Sequence, residues 1–161
     1  MNDYVLKSKW TLWFHSITNK NWDNKSYIKV IEIKTLFDYK LLKEVMKINH
    51  LQNGMFFLMR GDIFPTWEDP KNRMGGCVSF KYDKNILNEF LRIILLCITE
   101  NLSTDGNLNE INGISISPKK EFNITKIWLK DDSKDYKKIV KEYDPLIKLE
   151  KSIYKKHELS Y

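Results

Sequence analysis

Cysteine, histidine, glycine and proline are all scarce in this chain, with two Cys, three His, six Gly and four Pro among 161 residues. Each scarcity excludes something. Cys77 and Cys97 stand alone, without the spacing of a metal site or a redox pair, and read as buried, reduced packing residues. His15, His50 and His157 have no carboxylate at triad or metal-ligand spacing. No glycine-rich loop ends in Lys-Ser or Lys-Thr, so a phosphate-cradling nucleotidase loop is absent. The acidic pairs Glu68-Asp69 and Asp131-Asp132 are explained by a loop and a helix cap. The sequence therefore predicts no enzyme, no metal and no cofactor. No Pro/Gly/Ser-rich stretch divides the chain and no repeat shows, which predicts one domain over residues 1–161.

Long apolar runs are missing too. The longest, Ile93 to Ile98, is far below the ~18–20 residues that span a bilayer. Met1-Asn2-Asp3-Tyr4 has no basic region leading into an apolar core. The expectation is a monomeric, cytoplasmic protein with no membrane partner. Charge is mild: 27 Lys+Arg against 21 Asp+Glu give +6, spread evenly along the chain. Such a balance suits a phosphate-bearing partner without demanding one.

What the chain does have is apolar and aromatic mass, with 42% hydrophobic residues, five Trp, eight Tyr and eight Phe, enough for a conventional core. Lys9 to His15 alternates, Trp10, Leu12 and Phe14 on one side against Thr11, Trp13 and His15 on the other, which predicts a strand. A polar loop carrying Trp22 follows, then a β-branched strand from Tyr27 to Ile33. Thr35 and Asp38 have the spacing of a capping box, and Leu41, Leu42, Val45, Met46 and Leu51 supply one apolar helix face behind it. Met55–Met59 and Cys77–Tyr82 read as strands around a loop with Pro65, Trp67 and Pro70. A long helix is expected over about Asn85–Glu100, capped by Asp83 or Asn85. Strands over Ile111–Ser117 and Phe122–Lys130 come next. A third helix, capped at Asp131-Asp132-Ser133 and holding Tyr136, Ile139, Val140 and Tyr143, and a last strand from Leu146 to Tyr154 complete the order. Paired strands separated by single helices predict an α+β fold, an antiparallel sheet with helices on one face.

The tryptophans carry the functional signal. Trp22 and Trp67 sit in polar loops, where a large ring costs solvation unless something covers it. Trp128 shares a strand face with Lys126 and Lys130. On pattern alone two readings stay open: loop anchors, or a platform that stacks a base and holds its phosphates.

Certain segments narrow the choice. Lys9-Trp10-Thr11-Leu12-Trp13-Phe14, Trp22 in its loop, Pro65-Thr66-Trp67-Glu68-Asp69-Pro70-Lys71-Asn72, Gly75-Gly76, Leu95-Leu96-Cys97-Ile98 and Lys126-Ile127-Trp128 follow one another along nearly the whole chain. In content and order they resemble the eukaryotic cap-binding translation initiation factor 4E family. The resemblance implies a curved antiparallel sheet with three helices on its convex back and a site for the 7-methylguanosine cap of messenger RNA on the concave side. It implies that Trp22 and Trp67 sandwich the methylated base and that Glu68 accepts from its N1–H and N2 amino group. By the same resemblance the Trp67 backbone N–H serves O6, Trp128 touches the methyl group and Asp69 holds the loop. Lys119 falls at a phosphate-binding position with Lys120 beside it. The family's second basic position is Ile124 here, and Lys126 lies two residues on, on the same face. The implied partners are capped mRNA and, on the convex back, initiation factor 4G or 4E-binding proteins, at a groove around Leu6, Leu42 and Leu95. Tryptophans that the family carries elsewhere read as Leu42, Val78 and Leu91 here. The back's specificity is therefore expected to differ, and a cap-binding competitor or repressor that does not recruit 4G is the alternative. The Lys-, Ile- and Asn-rich composition and the short ends point to a large DNA virus or an AT-rich protist as the source, and so to host cytoplasm if viral.

Overall fold

Strand β1 (Val5–Ser16) realises the alternation read from its sequence: Trp10 and Leu12 are fully buried on one side of the sheet, and Trp13 lines the other. The computed structural model describes residues 3–157. In chain order β1 is followed by β2 (Ile28–Thr35), α1 (Leu36–Val45), α2 (Ile48–Asn53), β3 (Gly54–Arg60) and β4 (Gly76–Tyr82). Then come α3 (Leu87–Ile98), β5 (Ile111–Pro118), β6 (Asn123–Leu129), α4 (Tyr136–Ile139) and β7 (Ile153–Lys156). The strands form one curved, wholly antiparallel sheet in the order β2-β1-β3-β5-β6-β4-β7.

The helices cover one face. Tyr39 and Leu42 of α1 and Phe90, Ile93, Ile94 and Cys97 of α3 pack with Trp10, Leu12, Leu58, Val78, Ile114 and Ile127 of the sheet in the main core. Burying such side chains supplies roughly 1.5–3 kcal/mol each, the term that holds the helices down. Thr35 caps α1 as expected: its side chain accepts from the Asp38 backbone while the Asp38 carboxylate accepts from the Thr35 N–H.

Several boundaries differ from the sequence expectation. The first helix does not run on to Leu51, because Met46 turns extended to enter the core and Lys47 opens α2, its N–H donating to His50 Nδ1 at 2.9 Å. Neither Asp83 nor Asn85 caps α3, which begins after Ile86 without a side-chain cap. The third helix shrinks to four residues. Asp131 spends its carboxylate on Ser133, Asp135 caps in its place, and the backbone around Ile139–Lys141 bonds to Leu102 and Thr104. The last strand starts later than Leu146, since Leu146, Ile147 and Leu149 are all buried and do not alternate.

Gly75-Gly76 is where close approach requires glycine. A Cβ on Gly75 would collide with the Leu129 carbonyl, so the chain can slip between β6 and β7 only without one. The Gly75 carbonyl then accepts from the His157 N–H at 3.0 Å, seating the end of β7 on the open face.

Candidate nucleic-acid interface

Period two and antiparallel register decide which side chains reach the face without helices. Cys77 lies opposite Trp128 on one side and Lys155 on the other, and Ser79 and Ser115 both flank Lys126. These residues therefore share one surface with Trp13 and Phe57, which pair between β1 and β3. A second, smaller cluster forms there from Phe57, Met59, Ile63, Cys77 and Trp128, with Trp13, Tyr27, Met55 and Trp67 packed against it.

The rings make a continuous wall. Trp22 meets Tyr27 at 6.2 Å, Tyr27 meets Phe57 at 5.7 Å, and Phe57 meets Trp128 at 6.3 Å, all edge to face. Trp128 then meets His157 at 5.5 Å and His157 meets Trp67 at 6.4 Å. Edge-to-face pairs add about 0.5–1.5 kcal/mol each beyond burial and fix ring orientation. Trp128 is pinned further, its indole N–H donating to Ser115 Oγ at 3.0 Å. Trp22 is 54% exposed, an unusual state for so large a ring. Trp67 is half-buried and Glu68 beside it is exposed.

The loop carrying Trp67 is tied down by hydrogen bonds. Asp69 accepts from the backbone N–H of Phe64 at 3.0 Å and of Lys71 at 2.9 Å. Buried Asn72 donates to the carbonyls of Phe64 and Thr66, and Asn112 of β5 donates to Asn72 Oδ1 at 3.0 Å. Among the described residues no protein acceptor takes the backbone N–H of Trp67. Tyr27 touches a ring of each Trp loop, Trp22 at 6.2 Å and Phe64 at 5.2 Å, and its phenol is raised from its ordinary pKa by burial and, second, by the Glu68 carboxylate.

A basic cavity of about 280 Å³ opens beside Trp67, lined by Cys77, Ser79, Lys126, Lys155, Lys156 and His157. Burial pushes the Cys77 thiol up to about 12 despite Lys126, so it is no nucleophile. Burial, and then Lys126, hold His157 below the usual imidazole range, and the ring lines the cavity. Lys126 thus reaches the cavity, but Lys119 and Lys120 do not line it. Both are exposed on the β5–β6 turn, where the Lys119 N–H donates to Phe122 and its carbonyl accepts from the Lys84 ammonium. Ile124 stands between that turn and Lys126 on the same strand face. Lys155, Lys156 and His157 reach the cavity because β7 pairs with β4, a non-local contact with no local signature.

On the helix-covered face the expected groove is also rearranged. Leu6 and Leu42 are 7% and 3% exposed, core residues rather than surface, whereas Leu95 is 36% exposed. Apolar side chains that do reach solvent on α1 are Phe37, Leu41 and Val45, successively one helical turn apart. Among the described residues no helix is long and apolar enough to cross a membrane.

Comparison with known proteins agrees with this fold. The family model for eukaryotic initiation factor 4E matches residues 5–161. Translation initiation factor 4E of Candida albicans is 31% identical over 149 residues, 86% of this chain and 70% of that protein. A factor 4E homolog of Acanthamoeba polyphaga mimivirus is 27% identical, over 73% of this chain and 52% of its own length. Among solved structures, Ascaris suum eIF4E-3 in complex with the m7G cap superposes with a TM-score of 0.72 at 20% identity, covering 83% of this chain and 77% of that one. C. elegans eIF4E-3, in complex with the 4E-binding protein Mextli and a cap analog, gives 0.74 at 19% identity, covering 84% and 79%.

Proposed function

The chain belongs to the eukaryotic initiation factor 4E family, and from that premise we propose that its open face binds the 7-methylguanosine cap of messenger RNA in translation initiation. The observation that carries the reading is the aromatic wall from Trp22 to Trp67 with Glu68 at its edge. Methylation at N7 leaves guanine with a delocalised positive charge, so indole faces attract it by cation–π interaction as well as by stacking. Trp22 and Trp67 hold the base between them, and Trp128 meets the methyl group. The Glu68 carboxylate takes the base's N1–H and N2–H in charge-assisted bonds, about twice as strong as neutral ones. The free backbone N–H of Trp67 serves O6. None of this breaks a covalent bond: the protein is a binding module.

Phosphates leave the base toward the basic cavity. Lys126, Lys155 and Lys156 supply the charge there, with Lys119 and Lys120 left to meet phosphates farther along the message. Lys126→Ala is expected to weaken 7-methyl-GTP binding by up to about fivefold, the scale of an exposed ion pair, and to leave 7-methylguanosine nucleoside unchanged. Equal loss for both ligands, read by calorimetry, would place the phosphates elsewhere.

A protein partner docks on the helix-covered face. Relatives of this fold have been solved with 4E-binding proteins. Phe37, Leu41, Val45 and Leu95 are exposed anchors available to an amphipathic helix of that kind, with Leu6 and Leu42 buried in the core.

The deciding experiment is a titration of intrinsic Trp fluorescence with 7-methyl-GTP against unmethylated GTP. Quenching at clearly lower concentrations of the methylated ligand is the expected result. Equal quenching by both would reduce the site to a general nucleotide pocket, and no response to either would remove the cap reading.

A further inference from the structure

His15 lies behind Trp22, fully buried, with its ring parallel to the indole at 3.7 Å and 3°. Its two nitrogens face backbone carbonyl oxygens: Nδ1 is 2.9 Å from Ser16 O, and Nε2 is 2.9 Å from Asn21 O. Carbonyl oxygens only accept. A neutral imidazole carries one N–H and would turn a lone pair on one of these oxygens, whereas the doubly protonated ring donates to both. The Asn21 carbonyl is not free to retreat. The loop is tied by Asn19 N–H to Ser16 O, Asn21 N–H to Asn19 Oδ1, and Asn21 Nδ2 to Asp23 Oδ2.

We propose that His15 is the positioning residue for Trp22, an imidazolium clamped between two carbonyls that stacks on one indole face and presents the other to the cap base. The assignment rests on the cap reading above. It explains how a ring 54% exposed keeps one orientation: the cation–π stack and the clamp hold it from behind, while Tyr27 meets His15 edge-on at 5.1 Å. When the proton leaves, one carbonyl loses its donor, the Asn21 turn is released, and Trp22 loses both the clamp and the cationic part of the stack.

The elements packed on His15 contribute few other titrating groups. Its own strand offers Ser16, the loop offers Trp22 and Asp23, the segment entering β2 offers Tyr27, and β3 offers Met55 opposite. Of these only Asp23 and Tyr27 titrate, and the raised Tyr27 phenol stays neutral through the range where imidazoles change charge.

The test compares wild type, His15→Phe and His15→Ala over about pH 5 to 9. His15→Ala removes stack and clamp and is expected to weaken 7-methyl-GTP binding by about 3- to 30-fold at the acid end. His15→Phe restores the stack without the charge and should recover part of that loss. The ratio of wild-type to His15→Phe affinity cancels the titrations of the ligand and of His157. It should fall as pH rises. In parallel, ¹⁵N spectra of the ligand-free protein should show both His15 ring nitrogens protonated at the acid end. A ratio flat in pH, a singly protonated ring at the acid end, or wild-type affinity in His15→Ala would each overturn the assignment. If no variant responds to 7-methyl-GTP, it is the cap reading that fails, and the ¹⁵N spectrum still shows whether the clamp exists.

Discussion

Trp67→Ala is expected to weaken 7-methyl-GTP binding by about 1–3 kcal/mol, roughly 5- to 150-fold, while the protein stays folded. The size follows from how the ring is held. Asp69, Asn72 and Asn112 fix its loop before any ligand arrives, so little ordering entropy opposes the stack. Truncation removes the ring that closes the wall next to His157 and leaves one side of the base in water. Glu68→Gln in the same background separates stacking from base reading: the amide presents one acceptor where the carboxylate presents two, so preference for guanine over adenine should collapse while affinity for any methylated purine persists. Near-UV circular dichroism controls for folding. Trp67→Ala binding within twofold of wild type would mean that the base sits elsewhere on the wall.

The tryptophans of the candidate site were legible in the sequence. Trp22, Trp67 and Trp128 could be separated from Trp10 because two lie in polar loops and one shares a face with lysines, and in the structure Trp10 is fully buried on the helix side. The basic cavity was less legible because it depends on which strand neighbours β4. No local pattern in Ile153–Lys156 announces that Lys155 will lie opposite Cys77. Lys119 and Lys120 looked well placed by sequence position, yet hairpin geometry carries them past the cavity to the turn.

The fold divides in the same way. Period-two alternation over β1 and the Thr35–Asp38 box are local signals and are realised as local structure. The break at Met46 and the shortened α4 are tertiary choices. A buried Met side chain and hydrogen bonds to Leu102 and Thr104 outweigh helix continuation there, and apolar spacing cannot foresee either. Leu42 shows the limit for surfaces. An apolar residue on an amphipathic helix reads equally as groove or core, and only the packed sheet beneath it decides.

Glu100→Ala is expected to cost about 3–5 kcal/mol of folding stability, more than any other single change considered. Arg60, the last residue of β3, is almost fully buried against Glu100, with side chains 14% and 6% exposed. Its guanidinium donates to Glu100 Oε1 and Oε2 at 2.5 and 3.0 Å, twice to the Ile111 carbonyl, and to Ser8 Oγ, so all five N–H groups are used. The plane also stacks over Trp10 at 4.4 Å. Removing Glu100 leaves a buried cation with donors unpaired, and Arg60→Lys cannot repair this because an ammonium lacks the planar fork. Glu100 holds this place with φ at 62°, the left-handed conformation that glycine adopts freely after a helix. Glu100→Gly should therefore relieve about 1 kcal/mol of backbone cost yet remain destabilised overall, because the pair is lost. The double variant Arg60→Met with Glu100→Leu should recover most of the loss, since apolar side chains of similar size need no partners. Urea midpoints at constant m-value compare the wild type with each variant. A cost below about 1 kcal/mol for Glu100→Ala would mean that water reaches the pair.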